Sequence, residues 1–339
     1  MNNKYVGICL IGAGRAGMIH AKNFASKVPN AKMVAVADPV KEAAVAAAQE
    51  LGISKYYLDY KEALQDSEVD AVIVVAPTKY HRDIVIDAAN AGKHILCEKP
   101  MAMNVQECEE MIAAAKANKV KLQIGFMRRF DESFMQAKET IDQGEIGDVI
   151  LVKSLTRGPS VPQPWMYDLS KSNGPLAEVN SHDIDTLRWF TGSEFKTLFA
   201  VAGNYRCPDA KEQFPNFYDN VVFNARFENG MMGSVDGAQG VGYGYDARVE
   251  ILGTKGLILL GQLHEKTTVV CTKDNGMVRP IMNSWRYLFR EAYTDEDISF
   301  VNCILNDCEP KVTGIDGMMA VKVVNAGNLS ITEKRIVEL

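Results

Sequence analysis

The architecture of this chain is set by the sequence Ile8-Cys9-Leu10-Ile11-Gly12-Ala13-Gly14-Arg15-Ala16-Gly17. Its apolar start is typical of a buried strand, and the residues that follow the glycines, Arg15–Lys27, are predicted to form a helix. Gly12 permits a tight turn, Gly14 lets the backbone approach a pyrophosphate, and Gly17 lets helix and strand pack closely. The N-terminus of the helix offers unpaired N–H groups and a positive partial charge to the phosphates. The predicted dinucleotide-binding turn consists of Gly12, Ala13, Gly14, Arg15, Ala16 and Gly17.

Strands and helices alternate from this turn to residue 125. The predicted strands are Tyr5–Ile11, Ala31–Ala37, Ala71–Val75, His94–Cys97 and Val120–Ile124. The predicted helices are Arg15–Lys27, Val40–Leu51, Tyr80–Ala91 and Val105–Asn118. Gly52 and Gly92 are predicted to end two of these helices, and Asn104 is predicted to cap the last one. This repetition of buried strands and helices predicts a parallel, doubly wound α/β sheet.

A different pattern follows Gly125. Alternating, β-branched and aromatic stretches separated by turns such as Glu228-Asn229-Gly230 predict an antiparallel sheet with hairpins. The predicted strands here are Val149–Thr156, Val221–Phe227, Met231–Asp236 and Ala247–Leu252. One helix is predicted over Leu176–Thr191, and another over Met318–Ile331. We therefore predict two domains, residues 1–125 for dinucleotide binding and residues 126–339 for substrate binding and oligomerisation.

Asp38 lies at the end of the second predicted strand, 21 residues after Gly17. A carboxylate at this place accepts hydrogen bonds from the adenosine ribose hydroxyls of a dinucleotide. It also repels a 2′-phosphate by ~1–4 kcal/mol at contact distance. The sequence therefore favours NAD over NADP, although Lys41 nearby weakens the exclusion of NADP.

Lys99 lies in Cys97-Glu98-Lys99-Pro100, which ends the fourth predicted strand. Ligands of open α/β sheets bind at the carboxyl ends of the strands. The following proline biases Lys99 toward an extended conformation and allows a cis peptide. A lysine there can stabilise the alkoxide that forms as an alcohol loses its proton, whereas a solvated surface lysine is the alternative.

The predicted helix Leu176–Thr191 carries a carboxylate and a histidine one turn apart. At ~100° per residue, Glu178, His182, Asp185 and Trp189 fall within an arc of about 60°. In one interpretation His182 accepts a hydroxyl proton while Glu178 orients its ring. In a second, Glu178, His182 and Asp185 bind a metal, and in a third the histidine is structural. No further ligand cluster supports the metal, so we predict no metal.

Composition excludes several classes of protein. The 37 basic and 43 acidic residues give a net charge of −6, which argues against nucleic-acid binding. No apolar run approaches the ~20 residues that span a bilayer, and Met1–Gly17 does not resemble a secretory leader. The seven cysteines form neither a CxxC motif nor a disulfide framework. We expect buried thiols in a reducing cytoplasm and no membrane partner.

Together, the glycine turn, Glu98-Lys99-Pro100 and the acid–xxx–His segment resemble the Gfo/Idh/MocA oxidoreductase family. Gly125-Phe126-Met127-Arg128-Arg129-Phe130-Asp131 and Tyr243-Gly244-Tyr245-Asp246 resemble its inositol dehydrogenase branch. The resemblance implies an N-terminal Rossmann domain and a C-terminal α/β domain with a large, mostly antiparallel open sheet. It also implies a homodimer or homotetramer formed through that sheet.

The same resemblance implies roles for particular residues. Lys99, Glu178 and His182 would be catalytic. Lys99, Met127, Arg128, Glu178, His182 and either Tyr243 or Tyr245 would contact a polyol. Ala76, Pro77, Thr78, His81, Glu98 and Lys99 would lie along the dinucleotide. Glu178 stands where the branch usually has aspartate, Asn180 where many members have glycine, and Thr78 where many have asparagine.

The leading hypothesis is an NAD-dependent dehydrogenase that oxidises a ring hydroxyl of a cyclic polyol or sugar to a ketone. One alternative is a sugar-modifying or transferring oxidoreductase that retains its NAD(P) tightly. The other is a dinucleotide-binding regulatory protein without catalytic activity, which would not need Lys99, Glu178 and His182 together.

Overall fold

A computed structural model describes residues 5–339. The prediction about a secretory leader concerns Met1–Gly17, and the first four residues of that segment lie outside the described residues. The strands are β1 Val6–Ile11, β2 Ala31–Ala37, β3 Lys55–Tyr57, β4 Ala71–Val74, β5 His94–Glu98, β6 Leu122–Gly125, β7 Val149–Gly158, β8 Phe195–Gly203, β9 Asn220–Phe227, β10 Met232–Gln239, β11 Asp246–Gly253, β12 Leu257–Leu260, β13 Val270–Thr272, β14 Gly276–Val278 and β15 Val337–Glu338. The α-helices are α1 Gly17–Ser26, α2 Lys41–Leu51, α3 Tyr60–Leu64, α4 His81–Asn90, α5 Val105–Ala117, α6 Glu132–Asp142, α7 Leu169–Ser172, α8 Gly174–Glu178, α9 Ser181–Thr191, α10 Trp285–Leu288, α11 Arg290–Leu305 and α12 Gly314–Glu333. Short 3₁₀ helices cover Thr78–Tyr80, Met127–Phe130, Pro164–Tyr167 and Pro208–Ala210.

The predicted parallel sheet is confirmed. Six strands lie in the order β3-β2-β1-β4-β5-β6, and all neighbours are parallel. Every residue of β1 and β4 is buried, which explains the continuous apolar sequence of these strands. Gly52 ends α2 in the left-handed conformation, and the Asn104 side chain caps α5 by accepting from Glu107 N. The prediction omitted β3 and α3, because elements of three and five residues are too short to show a period.

The C-terminal part of the chain contributes to the first of two compact units. This first unit comprises the chain up to Phe130 and Glu291–Val321, and the second comprises Asp131–Arg290 and Lys322–Leu339. Phe300 and Val301 of α11 are buried in one apolar cluster with Ile8 and Leu10 of β1. The predicted division into residues 1–125 and 126–339 assigned all of Glu291–Val321 to the second domain, whereas the structure groups this segment with the first unit.

The sheet of the second unit is mostly antiparallel, as expected. Its strand order is β12-β11-β7-β10-β9-β8-β15, and only the β7–β10 pair of this sheet is parallel. The predicted turn at Glu228-Asn229-Gly230 joins β9 and β10, and Gly230 adopts a φ of 87° there. No helix within residues 5–339 is long and apolar enough to cross a membrane.

The prediction of one continuous helix over Leu176–Thr191 was wrong, because the segment forms two helices, α8 and α9. Asn180 interrupts them: its N–H donates to Pro175 O, five residues back, at 3.2 Å. Its side chain lies against Gly237 of β10, where an added Cβ would come within 1.9 Å of Asn180 Oδ1. Glu178 and His182 therefore lie on different helices, and the arc predicted for a single helix does not apply.

Candidate active site

The glycine turn has the geometry that its sequence predicts. Gly12 has a φ of +100°, and a Cβ on it would come within 2.7 Å of Val75 O. A Cβ on Gly17 would come within 2.1 Å of Gly12 O, so only glycine lets α1 begin this close to the turn. A Cβ on Gly14 would meet no atom within 4 Å. The turn thus leaves open space above Gly14 at the start of α1, where the residues fit a pyrophosphate.

The carboxylate of Asp38, which follows β2, accepts a hydrogen bond from the same turn. Its Oδ2 accepts a hydrogen bond from Ala13 N at 2.8 Å, and its Oδ1 accepts from Val40 N at 2.9 Å. The negative charge is therefore fixed beside the glycine turn.

His81 connects two segments that follow neighbouring strands. The residue is buried, with Nε2 2.6 Å from Ala76 O and Nδ1 2.9 Å from Pro100 O. Burial lowers the pKa of His81 below its usual value, and the hydrogen bonds with the carbonyl groups of Ala76 and Pro100 offset only part of this decrease. The ring fixes the segment after β4, which includes Ala76, Pro77 and the buried Thr78, relative to the segment after β5. A direct contact of these residues with a dinucleotide stays a prediction.

Glu98-Lys99-Pro100 forms the carboxyl end of β5, and the Lys99–Pro100 peptide is cis. The buried Glu98 accepts from Lys99 N through Oε2 at 2.9 Å, and its Oε1 lies 3.1 Å from His20 Nε2. Lys99 itself is half-buried. Met127 and Arg128, both buried, follow β6, which pairs with β5. Lys99, Met127 and Arg128 therefore lie at the same edge of the parallel sheet.

His182 belongs to the second unit, in the first turn of α9, and is buried. Glu178 ends α8 and is half-buried. Asp185 is buried as well, and the half-buried Trp189 stacks on Phe190 with ring centroids 5.1 Å apart. The polar residues of α9 are therefore enclosed by protein and do not form a solvated helix face.

Asp183 lies on the apolar side of the helical wheel and anchors α9 to the sheet. Its carboxylate accepts from Ser154 Oγ at 2.5 Å, from Thr156 Oγ1 at 3.0 Å and from Asn180 Nδ2 at 2.8 Å. Because Ser154 and Thr156 belong to β7, these bonds fix the helix that carries His182.

The two tyrosines of the second unit differ in exposure. Tyr243 is 38% exposed, and its hydroxyl donates to Asp246 Oδ2 at 2.9 Å. Burial of part of the ring and the Asp246 carboxylate raise the pKa of Tyr243. Tyr245 is buried, and its N–H donates to Met282 O at 2.7 Å. A substrate contact by either residue stays a prediction.

Comparison with known proteins bears on both units. The profile described as "Oxidoreductase family, NAD-binding Rossmann fold" matches residues 6–126, and the "GFO/IDH/MocA C-terminal domain" matches residues 134–259. The chain belongs to the Gfo/Idh/MocA family. It is thus an NAD-binding oxidoreductase, as its glycine turn and Asp38 predict.

Several members of the Gfo/Idh/MocA family resemble this chain over nearly its whole length. It is 37% identical over 333 residues to the scyllo-inositol 2-dehydrogenase (NAD(+)) of Bacillus subtilis, covering 97% of this chain and 95% of that protein. It is 34% identical to the myo-inositol 2-dehydrogenase of Thermotoga maritima, covering 98% of both. The crystal structure of scyllo-inositol dehydrogenase from Lactobacillus casei with bound NAD(H) and scyllo-inositol has a TM-score of 0.91, with 31% identity over 99% of both chains.

Replacing Asp38 by asparagine should relax the preference of this family member for NAD. The amide oxygen retains an acceptor for Ala13 N, but the charge that repels a 2′-phosphate is lost. We expect the ratio of kcat/KM for NAD to that for NADP to fall about tenfold or more. Asp38→Ala, which also removes the acceptor, should in addition raise the Kd for NAD. Equal use of both cofactors by the native protein would contradict this role.

Replacing Asp183 by alanine should destabilise the second unit by about 3–5 kcal/mol, because three buried donors lose their charged acceptor. The shift of the urea unfolding midpoint measures this loss. Ser154→Ala removes one donor only and should cost about 1–2 kcal/mol. An unchanged midpoint in Asp183→Ala would show that the buried carboxylate does not hold α9.

The sequence did not point to His20, Glu296 or Asp297, which the structure brings together with Glu98. Within residues 5–339, the group with metal-ligand spacing is His20, Glu98 and Glu296, and not Glu178, His182 and Asp185. His20 lies three positions after Gly17 on α1, and its partners Glu98 and Asp297 come 78 and 277 residues later. The local signal in the sequence was a histidine flanked by the apolar residues Ile19 and Ala21.

Proposed function

We propose that this chain is an NAD-dependent dehydrogenase that oxidises a ring hydroxyl of an inositol-like cyclic polyol to a ketone. The observation that carries the proposal is the similarity, over 97% of the chain, to an NAD-dependent scyllo-inositol dehydrogenase, in a chain that has Lys99, Glu178 and His182. The similarity to a myo-inositol dehydrogenase supports the same class of substrate.

The first unit holds the dinucleotide. The glycine turn from Gly12 to Gly17 binds the pyrophosphate through backbone N–H groups, and Asp38 binds the ribose hydroxyls. Ala76, Pro77, Thr78, His81 and Glu98 form or support the rest of this site. When bound, the nicotinamide supplies the acceptor for the hydride.

The remaining steps belong to side chains of this protein. His182 accepts the proton of the reacting hydroxyl, and Glu178 orients the imidazole and raises its basicity. Lys99 donates to the oxygen as its negative charge develops, which lowers the barrier by electrostatic stabilisation. Met127, Arg128 and either Tyr243 or Tyr245 contact the polyol and select among its hydroxyl groups.

A substrate panel tests the proposal. The purified protein is assayed at mildly alkaline pH with inositols, hexoses and anhydrosugars, each with NAD and with NADP. We expect at least one inositol to give free reduced NAD over many turnovers. Bound cofactor that one sugar reduces and another reoxidises, without release, would instead identify a transferring oxidoreductase. Binding of NAD without reduction by any compound would identify a regulatory protein.

The proposed assembly is a homodimer or homotetramer formed through the sheet of the second unit. One face of this sheet exposes several apolar side chains, among which Val201 and Val222 are cross-strand partners, as are Leu252 and Leu257. These exposed side chains include Phe199, Val201, Val222, Met232, Leu252 and Leu257. Apolar surface of this kind is characteristic of protein interfaces. Light scattering should give a multiple of the chain mass that Val222→Glu reduces, whereas a monomeric native protein would contradict the assembly.

The proposed location is the cytoplasm. All seven cysteines are free thiols, five of them buried, which suits a reducing compartment. Fractionation of the source cells tests this, and recovery of the protein outside the cytoplasmic fraction would contradict it.

A further inference from the structure

Four ionisable side chains lie together in the interior of the first unit: His20 of α1, Glu98 of β5, and Glu296 and Asp297 of α11. Glu98 is 5% exposed and the other three are fully buried. Burying charge is costly unless the charges are paired, so a cluster of this kind requires a physical account.

His20 bridges two of the carboxylates. Its Nδ1 lies 2.7 Å from Asp297 Oδ1, and its Nε2 lies 3.1 Å from Glu98 Oε1. Burial lowers the pKa of His20, but the two carboxylates more than offset this and raise it well above its usual value. The ring is therefore an imidazolium that donates from both nitrogens. Asn23 Nδ2 donates to the second oxygen of Asp297 at 2.9 Å and fixes that end of the bridge.

The other end of the bridge reaches the backbone of Lys99. Glu98 Oε2 accepts from Lys99 N at 2.9 Å while its Oε1 faces His20. Gly125 on the neighbouring strand leaves room for this carboxylate, because a Cβ there would come within 3.0 Å of Glu98 Cδ. Both oxygens of Glu98 are thus fixed, and hydrogen bonds run from Asp297 through His20 and Glu98 to the Lys99 peptide.

We infer that His20 and Asp297 are positioning residues that hold Lys99 through Glu98. The inference rests on the proposed function, in which the Lys99 ammonium stabilises the developing alkoxide. Fixing the peptide between Glu98 and Lys99 fixes the direction in which the Lys99 side chain leaves the backbone. A small error in such a direction is costly, because a displacement of about 1 Å in a catalytic group can cost ~10²-fold in rate.

Glu296 raises the question of a bound cation. Neither of its carboxylate oxygens has a hydrogen-bond partner among residues 5–339, and its ligand atoms lie within 4.8 Å of those of His20 and Glu98. Burial and the neighbouring Glu98 raise the pKa of Glu296 well above its usual value, which favours its protonated form. A metal bound here would have to displace protons from His20 and Glu296. The short contacts of both His20 nitrogens with carboxylates favour a hydrogen-bonded network over a metal site.

The first test replaces His20 by glutamine. We expect kcat to fall about 10–100-fold while the Kd for NAD changes much less, because the hydrogen bonds of the His20 side chain go to Asp297 and Glu98, outside the glycine turn. Phe300→Leu is the matched control: it removes apolar contacts of α11 in the same unit, leaves the four polar side chains in place and should leave kcat unchanged. Should His20→Gln fail to fold, Asp297→Asn retains an acceptor for His20 and should give a smaller fall in kcat.

The second test combines His20→Gln with Lys99→Met. If His20 acts through Lys99, the double variant should have nearly the kcat of Lys99→Met alone. Independent, multiplying effects would overturn the inference and leave the role of Lys99 intact. Full kcat in Lys99→Met would instead overturn the proposed function. One equivalent of a divalent metal in the purified protein, lost in Glu296→Gln, would also overturn the inference.

Discussion

Replacing His182 by alanine is expected to lower kcat for polyol oxidation ~10²–10⁴-fold, equivalent to about 3–5 kcal/mol of transition-state stabilisation. The loss follows because the hydroxyl proton then has no positioned acceptor. Steady-state assays with saturating NAD and polyol measure the effect. The Kd for NAD should change little, since the glycine turn and Asp38 belong to the other unit.

The fold should tolerate this substitution. The His182 carbonyl, which accepts from Thr186 Oγ1 at 2.7 Å, remains, and Asp183 still fixes α9 to β7. His182→Asn is a second variant of intermediate size that lacks a basic nitrogen and should lose as much activity. A kcat in His182→Ala equal to that of the native protein would remove this residue from the mechanism.

Replacing Lys99 by methionine should lower kcat by ~10²–10³-fold, the usual cost of losing one donor to a developing oxyanion. Methionine has a similar length and no charge, so packing around the half-buried stem is largely retained. Lys99→Arg keeps the charge but changes the shape of the donor, and it should recover only part of the rate. The comparison of kcat and KM among the three proteins measures the effect.

The distribution of the loss between kcat and KM identifies the role of Lys99. Stabilisation of the alkoxide acts in the transition state, so kcat and kcat/KM should fall together. An increase in KM for the polyol with kcat unchanged would mean that Lys99 only binds the substrate.

The sequence predicted the parallel sheet because its strands are buried on both faces and are apolar throughout, as in β1. It also predicted the glycine turn, because three glycines at this spacing directly after a strand form a short, recognisable motif. The contact that requires Gly17 is local, since a Cβ there would meet Gly12 O, whereas the contact that requires Gly12 is with Val75 after β4.

The features that the sequence did not predict depend on contacts between distant residues. The interruption between α8 and α9 arises where Asn180 packs on Gly237, 57 positions later, so helix periodicity gave no sign of it. Likewise, α11 contributes Phe300 and Val301 to the core around β1 and supplies Asp297, one of the two partners of His20, 277 residues after that histidine. The position of Asp183 on the apolar side of α9 could not be explained from local sequence, because two of its three donors, Ser154 and Thr156, belong to β7.

Transfer of deuterium from the substrate to NAD shows whether a ring carbon of an inositol gives up the hydride. The purified protein is given NAD and an inositol that carries deuterium at its ring carbons, and the mass of the reduced cofactor is measured. We expect one deuterium in each reduced nicotinamide formed, because the hydride comes from the carbon that bears the oxidised hydroxyl. Reduced cofactor without deuterium, or no reduction of bound NAD by any cyclic polyol, would contradict it.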